Sequence, residues 1–169
     1  AMYPSANILC VEPKSFTPPK RESLLERIRD EDFDGIIIAY SCFERIPLSK
    51  EYYRNRLVYE QEVIAEIAGK KNKATSRLKK KQEAVSKALS ELAVTMDDLY
   101  NGVYFDDLGI TRLFVDEAHN FKNVPIETKA DKVLGISASG SKKCKDMMDK
   151  VHMVQKKNDG AGVVFATGT

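Results

Sequence analysis

The sequence predicts a mixed α/β fold built on a parallel sheet and interrupted by an all-helical insertion. Three observations carry that expectation. Short apolar runs at residues 6–11, 36–40, 112–115 and 163–166 have strand length and are bounded by turn or polar residues. Ile36-Ile37-Ile38 is continuous and β-branched, the pattern of a strand buried on both faces in a parallel sheet. Between Ser49 and Met96 the apolar period changes to steps of three and four, which is helical.

Taken in order, residues 6–11 read as a buried strand closed by Glu12-Pro13. Pro18-Pro19 opens a helix whose inner face holds Leu24, Leu25 and Ile28. Gly35 leads into the second strand, and a strand–helix–strand order implies a right-handed crossover. In the insertion, Tyr53, Leu57, Ile64 and Ile67 form one seam with Glu60 interrupting it. Leu78, Val85, Leu89, Leu92 and Met96 form a second, with Gln82 as the exception. The break at Gly69-Lys70-Lys71-Asn72 makes these an antiparallel helical hairpin. Residues 97–109 read as a polar connector turning at Asn101-Gly102, and Pro125 ends any helix after Asn123. Ser141 caps a helix containing Cys144, Met147, Met148 and Val151, with His152 in a structural position among Val151, Met153 and Val154. A turn at Asp159-Gly160-Ala161-Gly162 leads to the last strand. The expected units are therefore 1–48, 49–96 and 97–169.

Bulk composition narrows the function classes. With 169 residues, 31% charged and 43% hydrophobic, the chain suits one soluble domain or a large piece of a bigger one. A net charge of +2 leaves any basic surface local. Cys10, Cys42 and Cys144 are odd in number and widely spaced, which points to reduced thiols in a cytoplasmic protein and not to a disulfide frame or zinc site. No apolar run approaches the roughly 18–20 residues of a membrane span, and the start is no signal peptide. Ala1 ahead of Met2, and a stop at Thr169 just past an apolar run, suggest a cut piece of a longer chain.

The chemistry concentrates at two strand ends. Residues 112–115 deliver Asp116-Glu117, with His119 two residues later. Phosphoryl transfer from a nucleotide needs one carboxylate to hold magnesium and another to polarise water, and P-loop NTPases place such a pair after a buried strand. Adjacent acids, or one histidine, are common by chance. The combination with Lys122-Asn123 and with Thr167-Gly168-Thr169 at a second strand end is far more specific. A hydrolytic metal site at Asp116, Glu117 and His119 is the weaker alternative, because no further Asp/His cluster accompanies them.

These residues resemble a known family. Asp116-Glu117-Ala118-His119 is similar to motif II of superfamily-two helicases and translocases, and the extension through Lys122-Asn123 resembles the DEAHxxKN form of the Swi/Snf branch. Ala166-Thr167-Gly168-Thr169 resembles motif III. Residues 38–44, with Ser41, are similar to the strand-end segment that approaches DNA. The nearest likeness is to bacterial mobile-element and phage proteins that join such a helicase to an adenine DNA methyltransferase. The resemblance implies a partial RecA-like P-loop NTPase lobe, with ATP and Mg²⁺ as cofactors of the parent protein and double-stranded DNA as its partner. Asp116 would hold Mg²⁺ through water, Glu117 would activate or position the attacking water, and His119 would link that site to motif III. Thr167, Gly168 and Thr169 would couple the nucleotide state to DNA movement.

A P-loop reads G-x-x-x-x-G-K-S/T, so that backbone N–H groups and a lysine cradle the phosphates. The nearest match, Gly135-Ile136-Ser137-Ala138-Ser139-Gly140-Ser141-Lys142, has serine where lysine must be, and it follows the Asp-Glu strand, whereas in the family the P-loop precedes it. The P-loop segment and the second motor lobe are expected outside this chain, so neither ATP nor Mg²⁺ is expected bound to it alone. Without the P-loop strand, residues 163–166 would form an open sheet edge able to pair with a second copy.

Lys70, Lys71, Lys73, Arg77, Lys79, Lys80 and Lys81 crowd the hairpin turn and its second arm without an acid in the run. A solvated tip is one reading, and a phosphate-backbone contact to DNA is the other. Two further functional readings stand beside the motor lobe. One is the motor part of a restriction, antirestriction or DNA-methylase protein. The other is an interaction module that binds nucleic acid or protein through the hairpin, with the acids incidental.

Overall fold

A computed structural model describes residues 4–70, 76–94, 102–122 and 141–168. The elements are β1 (Ile8–Val11), α1 (Pro18–Asp30), β2 (Gly35–Ile38), α2 (Tyr40–Phe43), α3 (Lys50–Lys70), α4 (Ser76–Val94), β3 (Leu113–Val115), α5 (Lys142–Lys157) and β4 (Val163–Phe165). Short 3₁₀ turns lie at Phe105–Leu108 and Ala118–Phe121. The fold is mixed α/β with parallel pairing, as the apolar runs predict. The chain divides into two compact units, one formed by residues 1–47 with 103–169 and the other by Leu48–Gly102.

Within the first unit the described strands form two parallel pairs, β1 with β2 and β3 with β4, and not one continuous sheet. Asn7 sets the first pair in register. Its N–H and side-chain amide donate to the Asp34 carboxylate and the Asp32 carbonyl at 2.7 Å each. The Asp34 N–H returns a bond to the Asn7 carbonyl. β1 is less buried, and β2 less buried on both faces, than their sequences suggest: Ile8 is 46% and Ile37 64% exposed. Two strands cover too little area to sandwich such residues, so one face stays open. Helix α1 starts as expected on Pro18, whose missing N–H would be unsatisfied there in any residue, and buries Leu25 and Ile28.

Residues 103–109 are more than a polar connector. Val103, Phe105 and Leu108 are buried, and the Phe105 N–H donates to the Pro47 carbonyl at 2.8 Å. Gly109 ends the turn at φ 67°, a backbone conformation that strains a residue with a side chain although the space around it is open. Asp106 and Asp107 hide this packing in the sequence by breaking up the apolar pattern.

The centre of this unit is a lysine. Lys150, on α5, has a fully buried side chain. Its ammonium donates to the Phe43 carbonyl at 2.8 Å and to Asp146 Oδ2 at 2.7 Å, and it sits 4.5 Å from the Phe43 ring centroid. Phe43 meets Phe105 edge to face at 5.4 Å. One side chain thus ties α5, the C-terminal end of α2 and the 105–108 turn together. His152, expected to be structural, is exposed: it lies on the outer side of α5 while Val151, Met153 and Val154 face inward.

In the second unit α3 and α4 pack against each other. Ile64 and Val85 are buried, while Ile67 remains 40% exposed, so the apolar seam is thin. Glu60, which interrupts the seam in the sequence, pairs with Lys81 at 3.2 Å. Lys79 and Lys80 are exposed. Lys71 and Lys73, and the side chains of Lys70 and Arg77, lie outside the described residues.

Removing the Lys150 ammonium leaves the largely covered Asp146 carboxylate without its partner and takes from the Phe43 carbonyl one of its two donors, the other being the Ile46 N–H at 3.2 Å. Lys150→Ala is expected to cost about 3–5 kcal/mol of unfolding free energy. Urea titration followed by circular dichroism measures it, and a loss under about 1 kcal/mol would show that the lysine is dispensable.

Candidate functional site

The strand pair β3–β4 builds the site. Its register sets Phe114 beside Val164 and Val115 beside Phe165, so both chains leave the sheet at the same, C-terminal end. Ligands of open α/β folds bind at that end of parallel strands. The pairing continues past the strands: the Ala166 N–H donates to the Val115 carbonyl at 2.8 Å, and the Ala118 N–H to the Ala166 carbonyl at 2.9 Å. These bonds bring Asp116-Glu117 next to Thr167-Gly168.

The register is held from below by α5. The Asn158 amide donates to the carbonyls of Thr111 at 2.9 Å and Val154 at 2.7 Å, joining the helix end to the approach of β3. Gly162 enters β4 at φ 90°, and a Cβ there would lie 3.0 Å from the Thr111 carbonyl and the Asn158 amide. Glycine alone fits this turn, and the Leu113 N–H uses the Gly162 carbonyl at 2.8 Å. The expected turn at residues 159–162 is present, with Asp159, Gly160 and Gly162 all at positive φ.

At the strand ends the acids have distinct surroundings. Asp116 Oδ1 accepts the Glu117 N–H at 2.9 Å. Glu117 has φ 48° and ψ 45°, the left-handed region, which costs a residue with a Cβ about 1–2 kcal/mol. The Asn120 N–H and side-chain amide both donate to the Glu117 carbonyl, at 3.0 and 3.1 Å, and stabilise that bend. The Glu117 carboxylate lies 3.1 Å from His119 Nδ1, and the same nitrogen is 3.4 Å from the Thr167 hydroxyl. Four of the sequence-identified residues, Asp116, Glu117, His119 and Thr167, therefore meet at one place, with Gly168 beside them. Lys122 is exposed and borders an apolar cavity of about 230 Å³ between Phe121, Met147, Met148 and Phe165. Ser41 is exposed on α2. Asn123, Thr169 and the 135–140 loop lie outside the described residues.

Sequence reading missed an aromatic shelf beneath the acids. Tyr40 meets Phe121 edge to face at 4.9 Å, and the Lys143 ammonium stands 4.7 Å from the Phe121 centroid and 5.6 Å from that of Tyr40. The Tyr40 hydroxyl oxygen is buried without a hydrogen-bond partner among the described residues. Burial first, and then the charges of Asp116 and Glu117, raise its pKa above the ordinary phenol value and keep it protonated. Tyr40 precedes Ser41 and Lys143 lies two residues after Ser141, but nothing in the local pattern says that residues a hundred apart meet here. Among the described residues no group of three or more His, Cys, Asp or Glu is placed to hold a metal, and no helix is long and apolar enough to cross a membrane.

Comparison with known proteins places the chain among relatives. The family described as "Probable helicase domain" matches residues 1–169. The chain is similar to the "Defense against restriction protein B" of Escherichia phage P1, 23% identical over 151 residues. That match covers 86% of this chain and 7% of the phage protein, so the chain corresponds to a small part of that relative's length. No solved structure matches.

The bend at Glu117 gives a stability test. Glu117→Gly and Glu117→Ala delete the same carboxylate, but only glycine relieves the left-handed backbone. The glycine variant is expected to be more stable than the alanine variant by about 1 kcal/mol, read from urea unfolding. Equal stabilities would mean that the bend carries no strain.

Proposed function

Because this chain belongs to the probable helicase domain family, we propose that it is part of the first motor lobe of an ATP-dependent DNA helicase or translocase. In that reading it is a partial RecA-like lobe of the Swi/Snf-like, DEAH-containing branch, and it has no turnover by itself. The observation that carries the reading is the junction of two parallel strand ends. Asp116-Glu117 leave one strand and Thr167-Gly168 the next, with His119 between them.

The residues suit the chemistry. Asp116 uses one carboxylate oxygen on the Glu117 N–H, and its side chain is exposed at the strand end, which fits a water-mediated hold on Mg²⁺. Bound with nucleotide, that ion would neutralise charge on the transferring phosphate. Glu117 is the group to orient and deprotonate the attacking water, while His119 and Thr167 connect that carboxylate to the neighbouring strand end. The phosphate cradle and an arginine from a second lobe would come from other parts of the parent protein. DNA is the expected track, with the exposed Lys79, Lys80 and Ser41 as contact candidates.

A narrower form places the motor in an antirestriction, restriction or DNA-methylase protein. The name of the phage relative, "Defense against restriction protein B", favours the antirestriction version.

The test uses a longer protein containing this segment, assayed for DNA-stimulated ATP hydrolysis. Asp116→Asn and Glu117→Gln are each expected to lower turnover by about a hundredfold or more. The 169-residue chain alone is expected to show none. Turnover by the isolated chain, or wild-type turnover in the Glu117→Gln protein, would overturn the reading.

A further inference from the structure

Helix α3 has more apolar surface than its packing on α4 uses. Ile64 is buried where α3 meets α4 and its buried Val85, and Tyr53 and Leu57 stand on the same side of α3 as Ile64. A second stripe, Tyr52, Tyr59, Val63 and Ile67, follows steps of seven, four and four, about 100° around the helix from the first. Tyr59 is 68% and Ile67 40% exposed, while Tyr52 and Val63 are half-buried. A helix that packs on one neighbour needs one apolar stripe, and a second stripe at helical spacing is the pattern of a helix with a second helical neighbour.

The charges of α3 point to what that neighbour is. Lys50, Arg54 and Arg56 occupy its first half, with Glu51 as the one acid there. Glu60, Glu62 and Glu66 occupy its second half with no cation between them. The helix dipole favours the opposite order, acids first and cations last. Helix α4 answers one of these charges, through the 3.2 Å pair of Lys81 with Glu60. Glu62 and Glu66 are exposed and lie on the side of α3 away from Ile64, and Arg56 falls within the second stripe between Tyr52 and Tyr59. An antiparallel copy of the same helix sets cations beside acids along its length, so an order that is unfavourable in one helix becomes favourable in two.

We propose that the second stripe of α3 is a homodimer surface, on which two copies of this chain pair α3 against α3 in antiparallel fashion. A two-fold axis passing between Tyr59 and Val63 sets Tyr59 of each copy against Val63 of the other, and turns Arg56 towards Glu66. The contact is isologous, so each favourable pair is made twice. The stripe runs about 22 Å from Tyr52 to Ile67, less than a standard interface covers, which makes the dimer a weak one of about 10–100 µM. The surface lies in the Leu48–Gly102 unit and uses none of the strand-end residues, so it stands or falls independently of the motor reading.

Sedimentation equilibrium of the 169-residue chain, from about 5 to 500 µM, tests it. The wild-type chain is expected to dimerise within that range. Tyr59→Glu changes a side chain that is 68% exposed, and should weaken association by about tenfold or more with helical circular dichroism unchanged. Arg56→Glu should weaken it as well, and adding Glu66→Arg should recover most of the loss, as a direct pair does and a damaged hairpin does not. Val164→Glu, on the 51% exposed Val164 of β4 in the other unit, should leave association unchanged. A wild-type chain that stays monomeric throughout would overturn the proposal. So would a dimer that Tyr59→Glu leaves intact or Val164→Glu abolishes, or a double variant that associates no better than Arg56→Glu.

Discussion

The first unit depends on how one buried cation is satisfied. Lys150 is a lysine where the sequence pattern of α5 calls for an apolar residue, and desolvation of its ammonium is a large unfavourable contribution. Burial lowers its pKa and raises that of Asp146, so the pair is not stabilising through charge alone. What the lysine provides is direction. Its proton donors reach the Phe43 carbonyl at the C-terminal end of α2, which otherwise accepts only the longer bond from the Ile46 N–H, and the Phe43 and Phe105 rings lie beside its ammonium. A leucine could fill the space but could not choose that carbonyl.

The consequence reaches the site through two short paths. Tyr40 and Phe43 are the two ends of a four-residue helix, so fixing the Phe43 carbonyl also fixes where Tyr40 stands beneath Asp116 and Glu117. At the other end of α5, Asn158 holds the approach to β3, and Gly162 admits β4 beside it. One helix therefore positions the shelf under the acids and the register of the strands that carry them. A shift of one residue in that register would turn every side chain of β4 to the other face and separate Thr167 from His119.

Much of this was legible in the sequence, for identifiable reasons. Helices α1 and α5 follow from Pro18, Ser141 and apolar spacing, because capping and periodicity are local signals. That Asp116-Glu117 and Thr167-Gly168 follow strands was legible because an apolar run ends just before each of them. The Glu60–Lys81 pair, the buried Phe105 turn and the Tyr40–Phe121–Lys143 shelf were not, because each joins residues distant in sequence. Burial of β1 and β2 was overread: a β-branched run says that a strand can be buried on both faces, and the partner surface decides whether it is. His152 was misjudged because its apolar neighbours in sequence point to the opposite side of the helix.

Two features at the site run against stability, and their coincidence is informative. A left-handed glutamate costs about 1–2 kcal/mol, and an unpartnered buried hydroxyl costs about 1–3 kcal/mol. Both lie within the cluster formed by the ends of β2, β3 and β4. Among the other described residues no buried side-chain nitrogen or oxygen lacks a partner, the ammonium of Lys150 included. Other than Glu117, Asp159 is the only described non-glycine residue at positive φ, and it sits in the turn that leads into β4. A glycine at 117 or a phenylalanine at 40 would relieve this cost, and strain of this kind is what marks the cluster as the candidate site. Both outliers stand beside the same two carboxylates: the bend at Glu117 carries its carboxylate to within 3.1 Å of His119, and the charges of Asp116 and Glu117 act on the Tyr40 hydroxyl.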